Sequence, residues 1–241
     1  MASRASFVGA ALAVALAFAP GANATEKIPA APTRTEAWIA SIVYPTVARA
    51  RPGGGAVVMQ VGTRARWNGG PVGLLVLGTE QDRHGRVWLK VRLPIRPNGS
   101  SGWILSDYVK LRSTGYRIEV SVAQRLVRLL YRGRMLRRYH VVVGRPYWPT
   151  PHGLFAVSER VAQPDPDGFL GPWALHLTAF SPTLLDFGGG PGQVALHGRG
   201  AESLSDPLGS ARSHGCIRIP NDGIRLLARV AREGTPVEIV P

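Results

Sequence analysis

A single cysteine, Cys216, lies in a segment rich in groups that assist thiol chemistry. Residues 213–221 read Ser-His-Gly-Cys-Ile-Arg-Ile-Pro-Asn, and His197 lies upstream, with 16 residues between it and His214. A thiol attacks acyl groups as its thiolate, and a free cysteine with a pKa of about 8.5 is mostly protonated near neutral pH. A neighbouring imidazole that accepts the proton would make Cys216 a nucleophile for acyl transfer.

Two histidines compete for the role of this base. His214 is two residues from Cys216, and on an extended or turning backbone its ring tends to point away from the thiol. His197 comes from a separate segment and can approach the thiol side chain to side chain, so it is the preferred base. Gly215 permits a tight turn that would aim backbone N–H groups at a developing oxyanion. Arg218 adds a guanidinium that can bind a carboxylate through two hydrogen bonds.

These residues resemble the L,D-transpeptidase family with a YkuD-type catalytic domain. That family carries a His, a gap of about this length, and then Ser-His-Gly-Cys followed by a hydrophobic residue and Arg or Asn. A second match lies at residues 150–155, Thr-Pro-His-Gly-Leu-Phe, which resemble the family's Thr-Pro-x-Gly-x-Phe element and follow Val143 and Gly144. The resemblance covers residues 115–241.

The resemblance implies a catalytic set. Cys216 is expected to be the nucleophile and His197 the base. The oxyanion site is expected to draw on His214, Gly215 and Cys216 itself.

The resemblance also implies a substrate-binding set. Arg218 is expected to bind a substrate carboxylate, and Ser213, Gly215 and Gly198 complete the set, with Ser213 supporting the loop by hydrogen bonding. Gly198 stands where some members have Ser, so we expect a backbone carbonyl to orient His197.

Two other histidines are candidates to line the cleft. His152 replaces the more usual Thr of the Thr-Pro element, and His176 lies in the following segment. A structural role is an equal alternative for both.

The reaction that the resemblance implies is acyl transfer on peptidoglycan. Cys216 would attack a stem tetrapeptide, release D-Ala and pass the acyl group to an amine acceptor to form a wall crosslink, without a metal or an organic cofactor. The same chemistry would suit an L,D-carboxypeptidase or a wall-protein anchoring enzyme. More remote alternatives are a non-catalytic wall-binding protein and an exported zinc peptidase. The zinc alternative lacks a His-Glu-x-x-His helix.

The N-terminal sequence predicts export. Residues 1–24 have one positive charge, an uncharged apolar run and an Ala-Asn-Ala cleavage signature, which is typical of a secretory signal peptide. A lone cysteine in such a chain cannot form an internal disulfide. The formal net charge is +14, and the export signal favours anionic wall polymers over nucleic acid as partners. We therefore expect a location in the cell wall or periplasm, with no transmembrane segment after cleavage.

The fold class is predicted as mainly β, in two domains. Residues 25–47 are predicted as a linker, with a short helical turn at 36–43. Residues 48–113, with strands at 56–61, 71–77, 87–91 and 102–105, resemble a small bacterial SH3-like barrel. Its aromatic residues would either line a ligand groove or fill the core: Trp67, Trp88, Trp103 and Tyr108.

The second predicted domain is an L,D-transpeptidase-like β-sandwich over residues 115–241, with one or two short helices. A strand meander begins it, residues 143–192 contain many Pro and Gly residues and are expected to be loop-rich, and a strand at 236–240 ends it. The most convincing helix covers residues 222–232, with Asn221 or Asp222 as its cap. Its expected apolar face is Ile224, Leu227, Ala228 and Ala231.

Overall fold

The computed structural model describes residues 29–241 of the protein. The predicted signal peptide and the first residues of the predicted linker lie outside this part of the chain. Strands dominate both halves of the described residues, which confirms the mainly β fold class. None of the helices within residues 29–241 has the length and apolar character needed to span a bilayer.

Residues 37–114, here called the first unit, form a seven-stranded sheet with the order β3-β2-β6-β5-β4-β1-β7. Apolar side chains from its strands, including Leu89, Val91 and Ile104, are fully buried in one cluster. The strands predicted at 56–61, 71–77, 87–91 and 102–105 are confirmed, and the likeness to SH3-like barrels stays a prediction. The strand bounds are β1 Ala37–Ile42, β2 Thr46–Arg51, β3 Gly54–Val61, β4 Gly73–Gln81, β5 Val87–Arg92, β6 Ser101–Leu105 and β7 Val109–Thr114.

The predicted linker over residues 25–47 and its helical turn at 36–43 are wrong for the second half of that segment. Residues 37–42 form β1, which pairs with β4 on one side and β7 on the other. Ile39 and Ala40 are completely buried there. The short alternation of this strand was masked by the Ala-, Pro- and Thr-rich sequence before it, so the first unit begins near residue 37 and not at 48.

The aromatic residues of the first unit divide between core and surface. Trp88 is buried, whereas Trp67 and Tyr108 keep 44% and 38% of their surface exposed. Trp103 is half-buried. Core filling therefore explains Trp88 but not Trp67, which lies near the second unit.

Residues 116–240, here called the second unit, form an eight-stranded mixed sheet with the order β10-β9-β8-β17-β12-β13-β14-β16 and a small two-stranded sheet, β11-β15. The pairs β17–β8 and β14–β16 are parallel. The strand bounds are β8 Tyr116–Ser121, β9 Leu126–Tyr131, β10 Arg134–His140, β11 Val143–Gly144, β12 Gly153–Ala162, β13 Trp173–Phe180, β14 Gln193–His197, β15 Ala211–Ser213, β16 Ile217–Arg218 and β17 Pro236–Val240.

The segment 143–192 is loop-rich as predicted, since strands take up fewer than half of its residues, but the prediction placed no strands inside it. Two long strands of the second unit, β12 and β13, lie in this segment and pair with each other. The stretches 154–162 and 173–180 contain no Pro or Gly, and the breakers cluster between them. Composition averaged over the whole segment therefore concealed two strands that are separated by turns.

Within the described residues there is one α-helix, α1, at Asn221–Val230. Its predicted apolar face is confirmed, since Ile224, Leu227 and Ala228 are buried against the sheet. The predicted cap is wrong: Pro220 occupies the N-cap position without a side-chain cap. The Asn221 side chain instead bonds the backbone of Arg199, accepting from its N–H at 2.7 Å and donating to its carbonyl at 2.8 Å.

The two units share an apolar and ionic interface. Ala37 and Leu75 of the first unit pack with Ala156 of the second. Beside this cluster, the Arg112 guanidinium donates to the backbone carbonyl of Glu233. The Glu233 carboxylate is buried and accepts from Arg160 Nε at 2.9 Å.

The two units approach each other closely at Gly234. It has φ +82°, and a Cβ at this position would lie 2.5 Å from Ile39 Cγ2 of β1. A glycine is required both by the backbone conformation and by the packing.

Replacing Gly234 with Ala should therefore destabilise the protein more than the same change at Gly85. Both glycines have left-handed φ values, but a Cβ at Gly85 would meet no atom within 4 Å. Gly85→Ala is expected to cost roughly 1–2 kcal/mol of unfolding free energy from the backbone alone. Gly234→Ala should cost at least about 1 kcal/mol more because of the clash with Ile39. Urea unfolding of both variants measures the difference, and equal losses would contradict the close contact between the units.

Candidate active site

Two rows of side chains cross one face of the second unit's sheet. Register pairs His176 with Ala195, and the pairing of β14 with β16 places Ala195 beside Cys216. Partners in register lie side by side on the same face of a sheet. The first row therefore runs from Cys216 through Ala195 to His176, and continues to Glu159, the partner of His176 on β12.

The second row contains the other candidate catalytic groups. Register pairs Arg218 with His197, His197 with Ala174, and Ala174 with Val161. Each member lies two residues along its strand from a member of the first row, so both rows point to the same face.

A cavity of about 510 Å³ opens above these rows. Four of the predicted site residues line it: Cys216, His197, His214 and Arg218.

The other three predicted residues lie behind the wall of the cavity. Ser213, Gly215 and Gly198 are buried and are not part of the lining. Their place in the substrate-binding set stays a prediction, and in the structure each one holds a neighbouring segment in place.

The turn that carries Cys216 is fixed by Ser213. The Ser213 hydroxyl donates to the Cys216 carbonyl at 2.6 Å and accepts from the Gly215 N–H at 3.1 Å. Gly215 has φ +113°, a conformation that side-chain-bearing residues rarely adopt. Because the Gly215 N–H is already bonded, the amides of His214 and Cys216 remain as the candidates for an oxyanion site.

The Thr-Pro element anchors this turn from the other side. Thr150 Oγ1 donates to the Gly215 carbonyl at 2.9 Å and accepts from the Gly144 N–H at 2.9 Å. A Cβ on Gly144 would lie 2.3 Å from the Trp148 carbonyl oxygen, so a glycine is required where the chain passes this close. The buried Thr150 hydroxyl thus joins the Thr-Pro element to the turn that carries Cys216.

His197 is held by a backbone carbonyl, as the sequence led us to expect. Its Nδ1 lies 2.8 Å from the Gly198 carbonyl oxygen, which can only accept, so Nδ1 carries the proton and Nε2 keeps a free lone pair. Burial, reinforced by the positive charge of Arg218, lowers the pKa of His197 to about 4. A Cβ on Gly198 would lie 2.6 Å from Asn221 Oδ1, so no Ser fits there.

His214 is arranged differently. Its Nε2 lies 2.8 Å from a guanidinium nitrogen of Arg145, which can only donate, so the lone pair of Nε2 is already used. Burial, and then the charge of Arg145, lower the pKa of His214. The ring packs 4.2 Å from that of Trp148 and 5.5 Å from that of Phe187. This arrangement suits a wall residue better than a general base.

The Cys216 thiol is protonated at neutral pH. Burial raises its pKa, and the Ala195 N–H and the charge of Arg218 offset only part of that effect. Because the pKa of His197 is lowered at the same time, the thiol and the imidazole are both uncharged at neutral pH.

Arg218 already has a carboxylate partner. Its guanidinium forms an ion pair with Asp206 and lies 4.9 Å over the Phe169 ring. The side chain is buried, so a substrate carboxylate that binds Arg218 would either share the guanidinium with Asp206 or displace the Asp206 carboxylate from it.

A glycine-rich loop, residues 181–192, forms another wall of the cavity and carries Phe187. The first unit holds both ends of this loop. The Arg96 guanidinium donates to the carbonyls of Ser181 at 2.7 Å and Pro191 at 3.1 Å. Asn98 exchanges two hydrogen bonds with the backbone of Phe180, at 2.7 and 2.8 Å.

Comparison with known proteins identifies the family of the second unit. The YkuD model, described as the L,D-transpeptidase catalytic domain, matches residues 115–239. The chain belongs to this family. Among residues 29–241, no group of three His, Cys, Asp or Glu side chains is placed to hold a metal ion.

The YkuD domain is similar to two curated relatives, each named "Putative L,D-transpeptidase YkuD". The one from Bacillus licheniformis is 34% identical over 126 residues, which cover 52% of this chain and 66% of the relative. The one from Bacillus subtilis is 29% identical over 124 residues, which cover 52% and 65%. The chain thus spans slightly less than two thirds of the length of these relatives.

Solved structures also resemble the YkuD domain. Bd1075 from Bdellovibrio bacteriovorus is 29% identical, with a TM-score of 0.40 and coverage of 52% of this chain and 47% of that one. An L,D-transpeptidase from Mycobacterium smegmatis is 16% identical, with a TM-score of 0.41 and coverage of 65% and 91%.

Several residues of the YkuD domain site were missed from the sequence. Asp206 and Arg145 carry no local signal, because their partners are distant in the chain. Asn221 was visible in the motif but interpreted as a helix cap. Of the two extra histidines, His176 lines the cavity and His152 is exposed outside it.

Replacing Thr150 with Val should loosen the turn that carries Cys216. The change leaves the Gly144 N–H and the Gly215 carbonyl without their buried partner, at a cost of about 1–3 kcal/mol of unfolding free energy for each group. The matched control is Thr183→Val, because the exposed Thr183 hydroxyl bonds only the Tyr147 carbonyl at 3.2 Å. Urea unfolding should show a loss of at least about 2 kcal/mol for Thr150→Val and under about 1 kcal/mol for the control. Similar losses would contradict the anchoring role.

The raised pKa of Cys216 predicts how its alkylation depends on pH. Below the thiol pKa the thiolate fraction grows about tenfold per pH unit, so the iodoacetamide rate should rise steadily from pH 6 to 9. No plateau is expected near neutral pH, because His197, with its pKa near 4, is uncharged there. A short peptide whose cysteine has the ordinary pKa of about 8.5 provides the control, and its rate should level off at a lower pH than that of Cys216. A pH-independent rate between pH 5 and 8 would reveal a thiolate–imidazolium pair and contradict the neutral one.

Proposed function

We propose that the protein is an exported peptidoglycan L,D-transpeptidase that uses Cys216 as its nucleophile. The observation that carries the proposal is the placement of Cys216 and His197 in adjoining rows on one face of a cavity. Membership of the YkuD family supports the choice of reaction. The predicted leader and the net charge of +14 support export to an anionic cell wall.

The first half of the reaction forms a thioester. Cys216 Sγ attacks the carbonyl of the residue before the terminal D-Ala of a stem tetrapeptide, while His197 Nε2 takes the thiol proton. The amides of His214 and Cys216 bind the developing oxyanion. The intermediate collapses, the C–N bond breaks, and the imidazolium of His197 gives its proton to the departing D-Ala amine.

The second half transfers the acyl group. The amine of another stem attacks the thioester carbonyl, and His197 Nε2 takes a proton from that amine. Collapse breaks the C–S bond, forms the new peptide bond and returns the proton to sulfur. No group beyond the described side chains and backbone amides takes part in either half.

The neutral resting pair fits this sequence of steps. A thiol with a raised pKa is protected from oxidation in an exported protein, since the thiolate is the reactive form. Proton transfer to His197 then accompanies the attack itself, when the substrate has displaced water from the cavity. Arg218 is the proposed contact for the carboxylate of the leaving D-Ala.

The identity of the acyl acceptor distinguishes an L,D-transpeptidase from other enzymes that form the same thioester. Water in place of the stem amine would make the enzyme an L,D-carboxypeptidase, and a protein amine would make it an anchoring enzyme. Mass spectrometry of products from a defined disaccharide tetrapeptide distinguishes these cases. We expect a crosslinked dimer, whereas a tripeptide alone would name the carboxypeptidase.

Substitution of Cys216 and the two histidines tests the assignment of roles. Cys216→Ala should abolish the thioester and all products. His197→Ala should lower the acylation rate by a factor of about 10²–10⁴, the usual contribution of a general base. His214→Ala is the matched control, and it should retain acylation within about tenfold because its Nε2 is bonded to Arg145. Acylation is read by intact-protein mass spectrometry at short times. A larger loss for His214→Ala than for His197→Ala would exchange the two roles, and product formation by Cys216→Ala would reject the mechanism.

A further inference from the structure

A loop of the first unit enters the catalytic cavity. Residues 62–72 connect β3 to β4, and Trp67 near their centre lines the cavity together with Cys216. Internal hydrogen bonds shape this loop: Ala65 N–H donates to the Gly70 carbonyl at 2.8 Å, and Gly70 N–H donates to Asn68 Oδ1 at 2.6 Å. The loop is thus a defined structure that presents a large aromatic ring at the cavity.

The loop is fastened to the catalytic sheet by a buried carboxylate. Glu159 Oε1 accepts from the Trp67 N–H at 2.7 Å and also from the Asn68 N–H. Asn68 Nδ2 donates to the Arg160 carbonyl at 2.6 Å. Only 4% of the Glu159 surface is exposed, and hydrogen bonds to a charged, buried acceptor are among the stronger ones. The position of Trp67 relative to the sheet is therefore set by β12.

Neighbouring groups set the orientation of the Trp67 ring. It stacks on His176 with 5.9 Å between ring centroids and 20° between planes, and the Arg66 guanidinium lies 4.9 Å from its centroid. Burial lowers the pKa of His176 to about 4, so its ring is uncharged at neutral pH and offers an apolar support. The remaining surface of Trp67, 44% exposed, is available to an occupant of the cavity.

The distance from the nucleophile follows from the sheet. Cys216, Ala195 and His176 occupy successive strands in one row, and neighbouring strands lie about 4.8 Å apart, so His176 is about 10 Å from Cys216. An extended peptide rises about 3.3 Å per residue, so about three residues cover that distance. In an extended substrate with its reacting carbonyl at Cys216, the third residue counted back from that carbonyl reaches Trp67.

We propose that Trp67 is a specificity-determining residue that contacts the acyl donor about three residues before the reacting carbonyl. The identity of the donor rests on the proposed function, in which the leaving D-Ala lies at Arg218 and the rest of the stem extends over the first row. Trp67 makes the enzyme select a full-length stem over a short acyl donor. The first unit is then part of the substrate-binding site.

Binding to the inactive Cys216→Ala protein tests this proposal without any chemistry. The probes are the free tetrapeptide L-Ala-γ-D-Glu-diaminopimelate-D-Ala and its C-terminal dipeptide, diaminopimelate-D-Ala, measured by calorimetry or ligand-observed NMR. In the Cys216→Ala background, Trp67→Ala should raise the Kd of the tetrapeptide about tenfold, the loss typical of a truncated aromatic contact. The Kd of the dipeptide should change by less than about twofold, because it ends before Trp67.

Two further variants control for structure. Trp67→Phe keeps an aromatic ring and should recover most of the tetrapeptide affinity. Tyr44→Ala removes another exposed aromatic residue of the first unit, one that is absent from the cavity lining, and should leave both affinities unchanged. With Cys216 intact, Trp67→Ala should keep the wild-type rate of alkylation by iodoacetamide, which shows that the site is still folded.

The outcomes separate the two proposals. Equal changes in Kd for both peptides, or no change for either, would overturn the role of Trp67. Failure of the wild-type protein to form a thioester would overturn the proposed function and leave a length-dependent effect of Trp67 on binding intact.

Discussion

The register between β16, β14 and β13 is the constraint on which the site depends. It places Cys216 beside Ala195 and Arg218 beside His197, on strands that lie next to each other although a 3₁₀ turn at Ala201–Ser205 and the strand β15 separate them in the chain. A shift of one residue would turn these side chains to the opposite face of the sheet. The short parallel pair β14–β16 could not hold this register alone, and the turn locked by Ser213 and Thr150 fixes where β16 begins.

Electrostatics in the site favour the uncharged forms of both Cys216 and His197 at neutral pH. Burial raises the pKa of Cys216 and lowers that of His197, and the charge of Arg218 stabilises the thiolate while it disfavours the imidazolium. The ion pair with Asp206 partly neutralises the charge of Arg218. The charge balance of the site therefore depends on a contact between β16 and the segment just before β15. A substrate carboxylate that competes for Arg218 would release Asp206 at the moment of binding.

The sequence was sufficient for groups whose roles follow from local spacing and insufficient for groups brought in by tertiary contacts. Cys216, Ser213 and Gly215 share one turn, so their arrangement follows from the motif, and the apolar period of α1 predicted its buried face. Arg145 contacts His214 across 69 residues, and Asp206 reaches Arg218 from a segment with no recognisable pattern. The long strands β12 and β13 were missed because breaker-rich turns surround them.

The wrong linker prediction and the proposed role of Trp67 are both explained by the packing of the first unit on the second. Both concern the first unit, whose sequence suggested a separate SH3-like barrel at residues 48–113 preceded by a linker. Instead β1 lies inside the sheet of that unit, and Ile39 on β1 packs against Gly234 of the second unit. That contact, with the bond from Arg112 to the Glu233 carbonyl, fixes the orientation of one sheet on the other.

Two loops of the first unit therefore contribute to the cavity: one places Trp67 in its lining, and the other holds the glycine-rich loop that forms one of its walls. Arg96 and Asn98 hold the ends of residues 181–192, and Trp67 is fastened to Glu159. A loop of an independent module would not be expected to bond a buried carboxylate of the second unit's sheet. The cost of burying Glu159 is met only when the first unit is docked, since two of its hydrogen-bond donors come from that unit. Docking of the first unit thus completes the lining of the cavity, which makes this unit a structural component of the candidate active site.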